Sequence, residues 1–223
     1  MREYLKRQKK LFKSEEREKM AALNVMVAGT GGLGTNLAIQ LQRIGVNKIY
    51  LYDYDKVEIS NLNRQLCFGR DDIGKAKVEQ AAEFLNQFKL DTEIIAKNEK
   101  ITEEMELADD IHIIFDALDN FETRFVVDKL AQKYGLPFIH AGVEDLFAQI
   151  MLILPESKSR LNDVFAGAEK DDTPAVFSPA VTITASFQLL EALKYLLGRD
   201  NYLKDTILHI DLFNSEIEKI ELS

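Results

Sequence analysis

Short apolar runs alternate with longer segments of helical period along most of this chain. NVMVAG (24–29) is a strand-length apolar run, LGTNLAIQLQRIG (33–45) has helical spacing ended by Gly45, and KIYLYD (48–53) is a second strand, which together predict a βαβ unit. GKAKVEQAAEFLNQF (74–88) places Val78, Ala81, Leu85 and Phe88 on one helical face, and TEIIAKN (92–98) follows as a strand. IHIIFDA (111–117) is the next strand; Asn120 can then cap a helix carrying Phe121, Phe125, Leu130 and Tyr134, which Gly135 stops. PFIHAGV (137–143) and FAQIMLILP (147–155) are further strands. Ser178 and Pro179 start a helix as N-cap and first-turn residue, with Val181, Ala185, Leu189, Leu193 and Leu196 on one face and Gly198 at its end. TILHIDLFNSEIEKIEL (206–222) reads as a hairpin around Asn214-Ser215. The expected class is α/β: a Rossmann-like, doubly wound, mostly parallel sheet with an antiparallel C-terminal extension.

Two segments break the alternation. Residues 2–20 read as an exposed helix, with Glu15 four residues before Lys19 and a thin apolar stripe of Leu5, Phe12 and Met20, so this N-terminal arm (1–20) needs something to pack on. Residues 155–177 are polar and aperiodic, and a loop that long in a compact domain is usually functional or mobile. Its Lys158, Arg160 and Lys170 could guide an acidic partner, although solvated side chains are the commoner case.

Composition narrows the classes. With 223 residues, one domain over 1–223 is expected, and no apolar run reaches the roughly 18 residues of a membrane helix. Lys plus Arg is 28 and Asp plus Glu is 37, so 28 − 37 gives −9, which disfavours nonspecific nucleic-acid binding. The charged N-terminus has no apolar core of a secretory signal, which makes a cytoplasmic location the expectation. A single cysteine, Cys67, excludes an intrachain disulfide and a four-cysteine zinc site.

The chemistry-bearing motifs fall at strand ends. Gly29-Thr30-Gly31-Gly32-Leu33-Gly34 satisfies G-x-G-x-x-G between a strand and a helix, where glycines let the backbone approach a phosphate and the helix start offers free amides. Asp53, 19 residues after Gly34, is placed to bond a ribose hydroxyl. Beyond it come Asn61-Leu62-Asn63-Arg64-Gln65 and Lys77, and Arg64 and Lys77 could meet a triphosphate, although each alone is more often paired with a surface acid or solvated. Asp116, Asp119 and Asn120 reach the carboxyl end of a strand; Asp119 is the favoured metal-facing acid, Asp116 a structural one, and Asn120 a cap as well as a ligand candidate. His112, His140 and His209 form no ligand cluster and read as hydrogen-bonded strand residues, with His140 at a strand end.

GTGGLG, Asp53, NLNRQ, Lys77 and ALDN, in this order, resemble the ThiF/MoeB/HesA family, relatives of ubiquitin-activating enzymes, over essentially the whole chain. The resemblance implies adenylation of the C-terminal glycine of a small ubiquitin-like or sulfur-carrier protein by Mg-ATP, with release of pyrophosphate, usually by a homodimer. It implies Gly31 and Gly32 at the nucleotide, Asp53 on the ribose, Asn61, Arg64 and Lys77 around the phosphates, and Asp119 at Mg²⁺; Gly29 and Gly34 of the same motif and Asn120 are further nucleotide-binding candidates. Arg7 resembles the family's N-terminal arginine that reaches the partner subunit's ATP site. The two Cys-x-x-Cys zinc pairs of many members are missing, as is the cysteine some carry in the loop before the last helix, so no zinc and no on-chain thioester are expected. Cys67 then reads as a small buried thiol. A separate sulfurtransferase is one possible acceptor. The competing readings are an NAD-linked oxidoreductase, which leaves NLNRQ, Lys77 and Asp119 without a role; a noncatalytic nucleotide- or carrier-binding subunit; and an enzyme resembling the tRNA threonylcarbamoyladenosine dehydratases.

Overall fold

A computed structural model describes residues 3–167 and 175–222. Its strands are β1 (Asn24–Ala28), β2 (Lys48–Tyr52), β3 (Glu93–Lys97), β4 (Ile113–Asp116), β5 (Phe138–Glu144), β6 (Phe147–Ile153), β7 (Thr206–Asp211) and β8 (Glu216–Glu221). The helices are α1 (Ser14–Ala22), α2 (Gly32–Ile44), α3 (Lys77–Asn86), α4 (Phe121–Tyr134), α5 (Leu161–Phe165) and α6 (Ser178–Leu196). All strands join one sheet in the order β3-β2-β1-β4-β5-β6-β7-β8. From β3 to β5 neighbours are parallel; β6, β7 and β8 are added antiparallel. The antiparallel part thus begins one strand before the C-terminal hairpin, because only Asp145 and Leu146 join β5 to β6, too short a link for a parallel crossover.

Residues of β1 are buried on both faces, as a central parallel strand requires. On one face Val25, Val27, Ile49 and Phe115 pack with Leu37 and Leu41 of α2, Val78 and Leu85 of α3, and Ala185 and Leu189 of α6. On the other, Met26, Ile114, Phe138, Met151 and Ile207 pack with Val127 and Leu130 of α4 and with Leu161. The winding reverses between β1 and β4, the switch point at which open α/β sheets bind ligands. No helix among the described residues is long and apolar enough to cross a membrane.

Several expectations need correction. The N-terminal arm is two 3₁₀ turns, Glu3–Leu5 and Gln8–Lys10, followed by α1, rather than one helix over 2–20. Lys13 N–H donates to Glu16 Oε2 at 2.8 Å and starts the helix afresh, while Gln8 Nε2 donates to the Ile44 carbonyl at 3.0 Å and pins the first part on the end of α2. Phe88 lies beyond α3, half exposed, with Arg43 over its ring at 4.5 Å. The cap of α6 is Phe177, not Ser178, with Pro179 in the first turn and Gly198 past the end at φ +71°.

Residues 155–167 are also more ordered than the composition of this stretch implies. Arg160 is not solvated: its guanidinium pairs with Asp128 of α4 and donates to the Leu154 carbonyl at 3.1 Å. Asp128 Oδ2 accepts the Leu161 N–H at 3.1 Å, which fixes α5 with Leu161 fully buried. Lys158 is exposed, and Lys170 lies outside the described residues.

Candidate functional site

The glycine loop runs from the end of β1 into α2 and is built against β4. Gly29 has φ +97°, and a Cβ there would stand 2.6 Å from the Ala117 carbonyl oxygen. At Gly34 a Cβ would lie 1.9 Å from the Gly29 oxygen, so this glycine lets the first turn of α2 close on the loop. Fully buried Thr30 donates through its N–H (2.7 Å) and its hydroxyl (2.8 Å) to Asp53 Oδ2. Asp53 Oδ1 accepts the Asp55 N–H at 2.8 Å. Asp53 therefore holds the loop in shape as well as facing the pocket, and a carboxylate's spare lone pairs leave room for a further donor. Thr30 was not singled out in the sequence, where nothing marks it apart from its place between two glycines.

The loop forms one side of a cavity of about 530 Å³ at the switch point. Gly29, Gly31, Gly32, Asp53, Arg64, Lys77, Asp119 and Asn120 all line it. Asn61, Gly34 and Arg7 do not. Asn61 is buried and closes the turn before Arg64, its Oδ1 accepting the Glu58 N–H at 2.9 Å. Gly34 is a packing position, and Arg7 is exposed on the N-terminal arm.

Arg64 is half-buried, its stem over Gly32, and its Nη1 donates to the Ser60 carbonyl (3.0 Å) and to Asn63 Oδ1 (2.8 Å). Both acceptors are neutral, and among the described residues no carboxylate lies within 4.0 Å. Among the described residues its charge is therefore oriented by neutral acceptors alone, contrary to the fate of an ordinary surface arginine. Lys77, the first residue of α3, is buried rather than solvated and meets Asp55 Oδ2 at 2.9 Å. Asp119 is exposed on the opposite wall, its Oδ1 accepting from Asn120 Nδ2 at 3.1 Å. Asn120 caps α4 as expected, through Thr123 N–H to its Oδ1 at 2.9 Å.

Beneath this wall lies a polar network the sequence barely signalled. Asp116 is fully buried, 2.6 Å from His140 Nδ1 and 3.2 Å from Arg124 Nε, and its Oδ1 accepts the Leu118 N–H at 3.0 Å. Gln188 of α6 donates at 2.8 Å to the carbonyls of both Asp116 and Ile139. Burial pushes the His140 pKa down, so the ring is neutral at neutral pH. Of the other histidines, His112 precedes β4 and accepts the Asn24 N–H at 2.9 Å, while His209 stacks on Phe147 at 5.7 Å on the pocket wall.

Cys67 is 4% exposed, and burial pushes its thiol up to about 12. A thiol so protonated and covered is a poor nucleophile. The native chain is expected to react with a thiol-specific reagent at pH 8 far more slowly than the denatured chain, by at least about 100-fold, as thiolate fraction and access both fall. Equal labelling rates would show Cys67 to be open and reactive.

Residues 5–223 match the ThiF family. The chain is 33% identical over 211 residues to the sulfur carrier protein ThiS adenylyltransferase of Bacillus subtilis (strain 168), covering 91% of this chain and 62% of that protein. It is 31% identical over 211 residues to ubiquitin-like modifier-activating enzyme 5 of Drosophila ananassae, covering 82% of this chain and 53% of that one. The chain thus spans less than two thirds of each of these relatives. A crystal structure of E. coli MccB with MccA-N7isoASN shares the fold at a TM-score of 0.80 with 23% identity, over 93% of this chain and 66% of that one. With a family match over nearly its full length, and the glycine loop, Arg64, Lys77 and Asp119 lining one cavity, the chain belongs to the ThiF family.

Proposed function

We propose that this chain adenylates the C-terminal glycine carboxylate of a small ubiquitin-like or sulfur-carrier protein with ATP, releasing pyrophosphate and forming no thioester on itself. The observation that carries the reading is Arg64, a cavity-lining residue beside the glycine loop, Lys77 and Asp119 whose guanidinium is held by neutral acceptors and meets no carboxylate among the described residues. A nicotinamide cofactor gives these last residues no task. The relatives named for ThiS and for ubiquitin-like modifiers point to the same substrate class.

The chemistry is one displacement. A carboxylate oxygen of the carrier attacks the α-phosphorus, a new P–O bond forms, and the bond to the bridging oxygen breaks as pyrophosphate leaves. Both reactants are anions, so cations must hold them together and stabilise the charge that develops on the leaving group. The cavity wall offers Arg64, Lys77 and Arg124 against Asp53, Asp55, Glu99, Asp119 and Glu144, so more positive charge has to enter with the nucleotide. Mg²⁺ fits that need: it keeps most of its waters and binds through one or two carboxylates plus phosphate oxygens, and Asp119 is placed to be such a carboxylate. No group of three or more His, Cys, Asp or Glu side chains that could hold a metal ion occurs among the described residues. Bound there, the ion would offset phosphate charge.

A second source of charge is Arg7 of a partner copy in a homodimer. The arm that bears it is pinned to α2 by Gln8, away from its own pocket wall. An arginine supplied in trans can be worth about 10³–10⁵ in rate for phosphoryl transfer. Mixing Arg7→Ala and Asp119→Ala chains should restore activity that neither homodimer has, because one of the mixed sites is intact. Absence of rescue in verified mixed dimers would remove Arg7 from the site.

The test of the reading is exchange of labelled pyrophosphate into ATP. Label should enter ATP only when a carrier ending in Gly-Gly is present, and Cys67→Ala should exchange at the wild-type rate. Exchange absent with every such carrier despite bound ATP would favour a noncatalytic binding subunit. The adenylate would pass to sulfide, a separate sulfurtransferase or another acceptor.

A further inference from the structure

Gln149 of β6 stands directly across from Gly142 of β5 on the face of the sheet that carries α4, and both line the cavity. Three strand spacings separate β6 from β1, so this region lies about 14 Å across the sheet from the glycine loop. The Gln149 amide nitrogen is 3.3 Å from His140 Nε2. On the other side of the ring, Nδ1 meets Asp116, a carboxylate already beside Arg124 and therefore an acceptor. The ring proton must sit on Nδ1, and the neutral ring leaves a lone pair on Nε2 that can only accept. Gln149 must then turn its –NH₂ toward His140. Its carbonyl oxygen, Oε1, has no hydrogen bond to any of the described residues. Gly142 makes the arrangement possible, since a Cβ there would stand 2.9 Å from Gln149 Nε2.

We propose that Gln149 is a specificity-determining residue whose Oε1 accepts a backbone N–H of the incoming extended peptide tail, with His140 and Asp116 as positioning residues that fix which amide atom is presented. The inference rests on the reading that the cavity takes a protein C-terminus. Its content is a selection for a hydrogen-bond donor at this point of the tail. An amide free to flip would present oxygen or nitrogen equally; one clamped by a lone pair presents oxygen alone. The clamp is shielded from solvent by Phe165, whose ring lies 5.3 Å from that of His140, and by Phe121 at 6.5 Å.

The experiment uses the full chain, a recombinant ThiS protein ending in Gly-Gly, and carrier-dependent pyrophosphate exchange. Gln149→Leu should raise the carrier KM by about 2- to 12-fold, the worth of one neutral hydrogen bond, with ATP affinity unchanged and the thermal midpoint lower by about 2–12 °C, since buried His140 Nε2 loses its donor. Gly142→Ala should do the same, because its methyl group displaces the amide from His140. The double variant should be no worse than either single one. A carrier KM within twofold of wild type in active Gln149→Leu protein would overturn the inference alone. ATP affinity falling in step with carrier affinity would also overturn it, by showing a general loss of site structure. No exchange by the wild-type chain would overturn this inference together with the functional reading.

Discussion

Arg64→Ala is expected to lower carrier-dependent pyrophosphate exchange by about 10²–10³-fold, the cost of removing one preorganised donor from a developing anion. Arg64 lines the cavity, and its guanidinium is held in place by the Ser60 carbonyl and the Asn63 amide oxygen. No conformational search is needed when phosphate arrives. Because both present partners are neutral and the side chain is half-buried, truncation strands no carboxylate, and the thermal midpoint should stay within about 1 °C, as for surface substitutions generally. Arg64→Lys should recover little, since an ammonium cannot reproduce the two-pronged geometry of a guanidinium on phosphate. Steady-state exchange rates beside a melting curve decide it. Unchanged exchange would show that Arg64 does not face the reacting phosphates, and a collapsed melting curve would show that its role is structural.

The largest effect on stability is expected at Gly34→Ala. The added Cβ would stand 1.9 Å from the Gly29 oxygen and 2.8 Å from the Gly29 carbonyl carbon, both backbone atoms with no rotamer to change. The glycine loop cannot yield either, because Thr30 is bonded to Asp53 and a Cβ's breadth is lacking between Gly29 and Ala117. The start of α2 has to move, and overpacking of this kind costs about 3 kcal/mol, which for a chain of this size lowers the thermal midpoint by about 6–12 °C. Gly31→Ala is the internal control. A Cβ at Gly31 meets nothing closer than Gln65 Nε2 at 3.6 Å, so the melting curve should hardly move. Equal midpoints for the two variants would contradict this account of the loop.

Strand and helix periods were legible wherever one face of an element meets the core. Residues of β1 and α2 follow their pattern, Asn120 caps α4 where its position between a strand and an apolar face said it would, and Gly45 and Gly135 end helices with positive φ. Lys77 and Asp119 were legible as candidates because one starts α3 and the other lies just past β4, and Arg64 because it stands in the Asn-Leu-Asn-Arg-Gln run beyond β2. What escaped the sequence depends on contacts between distant positions. Arg160 reaches Asp128 across 32 residues, so a polar stretch that looks like free loop contains a docked helix. Asp116 finds His140 24 residues on and receives Gln188 72 residues on, and nothing local distinguishes those residues from ordinary strand-end polar groups. The N-terminal arm failed for a local reason: Leu5, Phe12 and Met20 suit helical spacing, but Glu16 captures the Lys13 N–H and begins a new helix there. Asp53 lines the cavity, while its bond to Thr30 came only from the geometry of the loop.

The most direct measurement is the fate of AMP. The full chain, ATP, Mg²⁺ and a carrier ending in Gly-Gly should yield pyrophosphate and a carrier heavier by one adenylyl group at its C-terminus, as read by intact-mass spectrometry, with the chain itself unmodified. A thiol-sensitive adduct between chain and carrier, or ATP bound with neither pyrophosphate nor adenylylated carrier formed, would contradict the account.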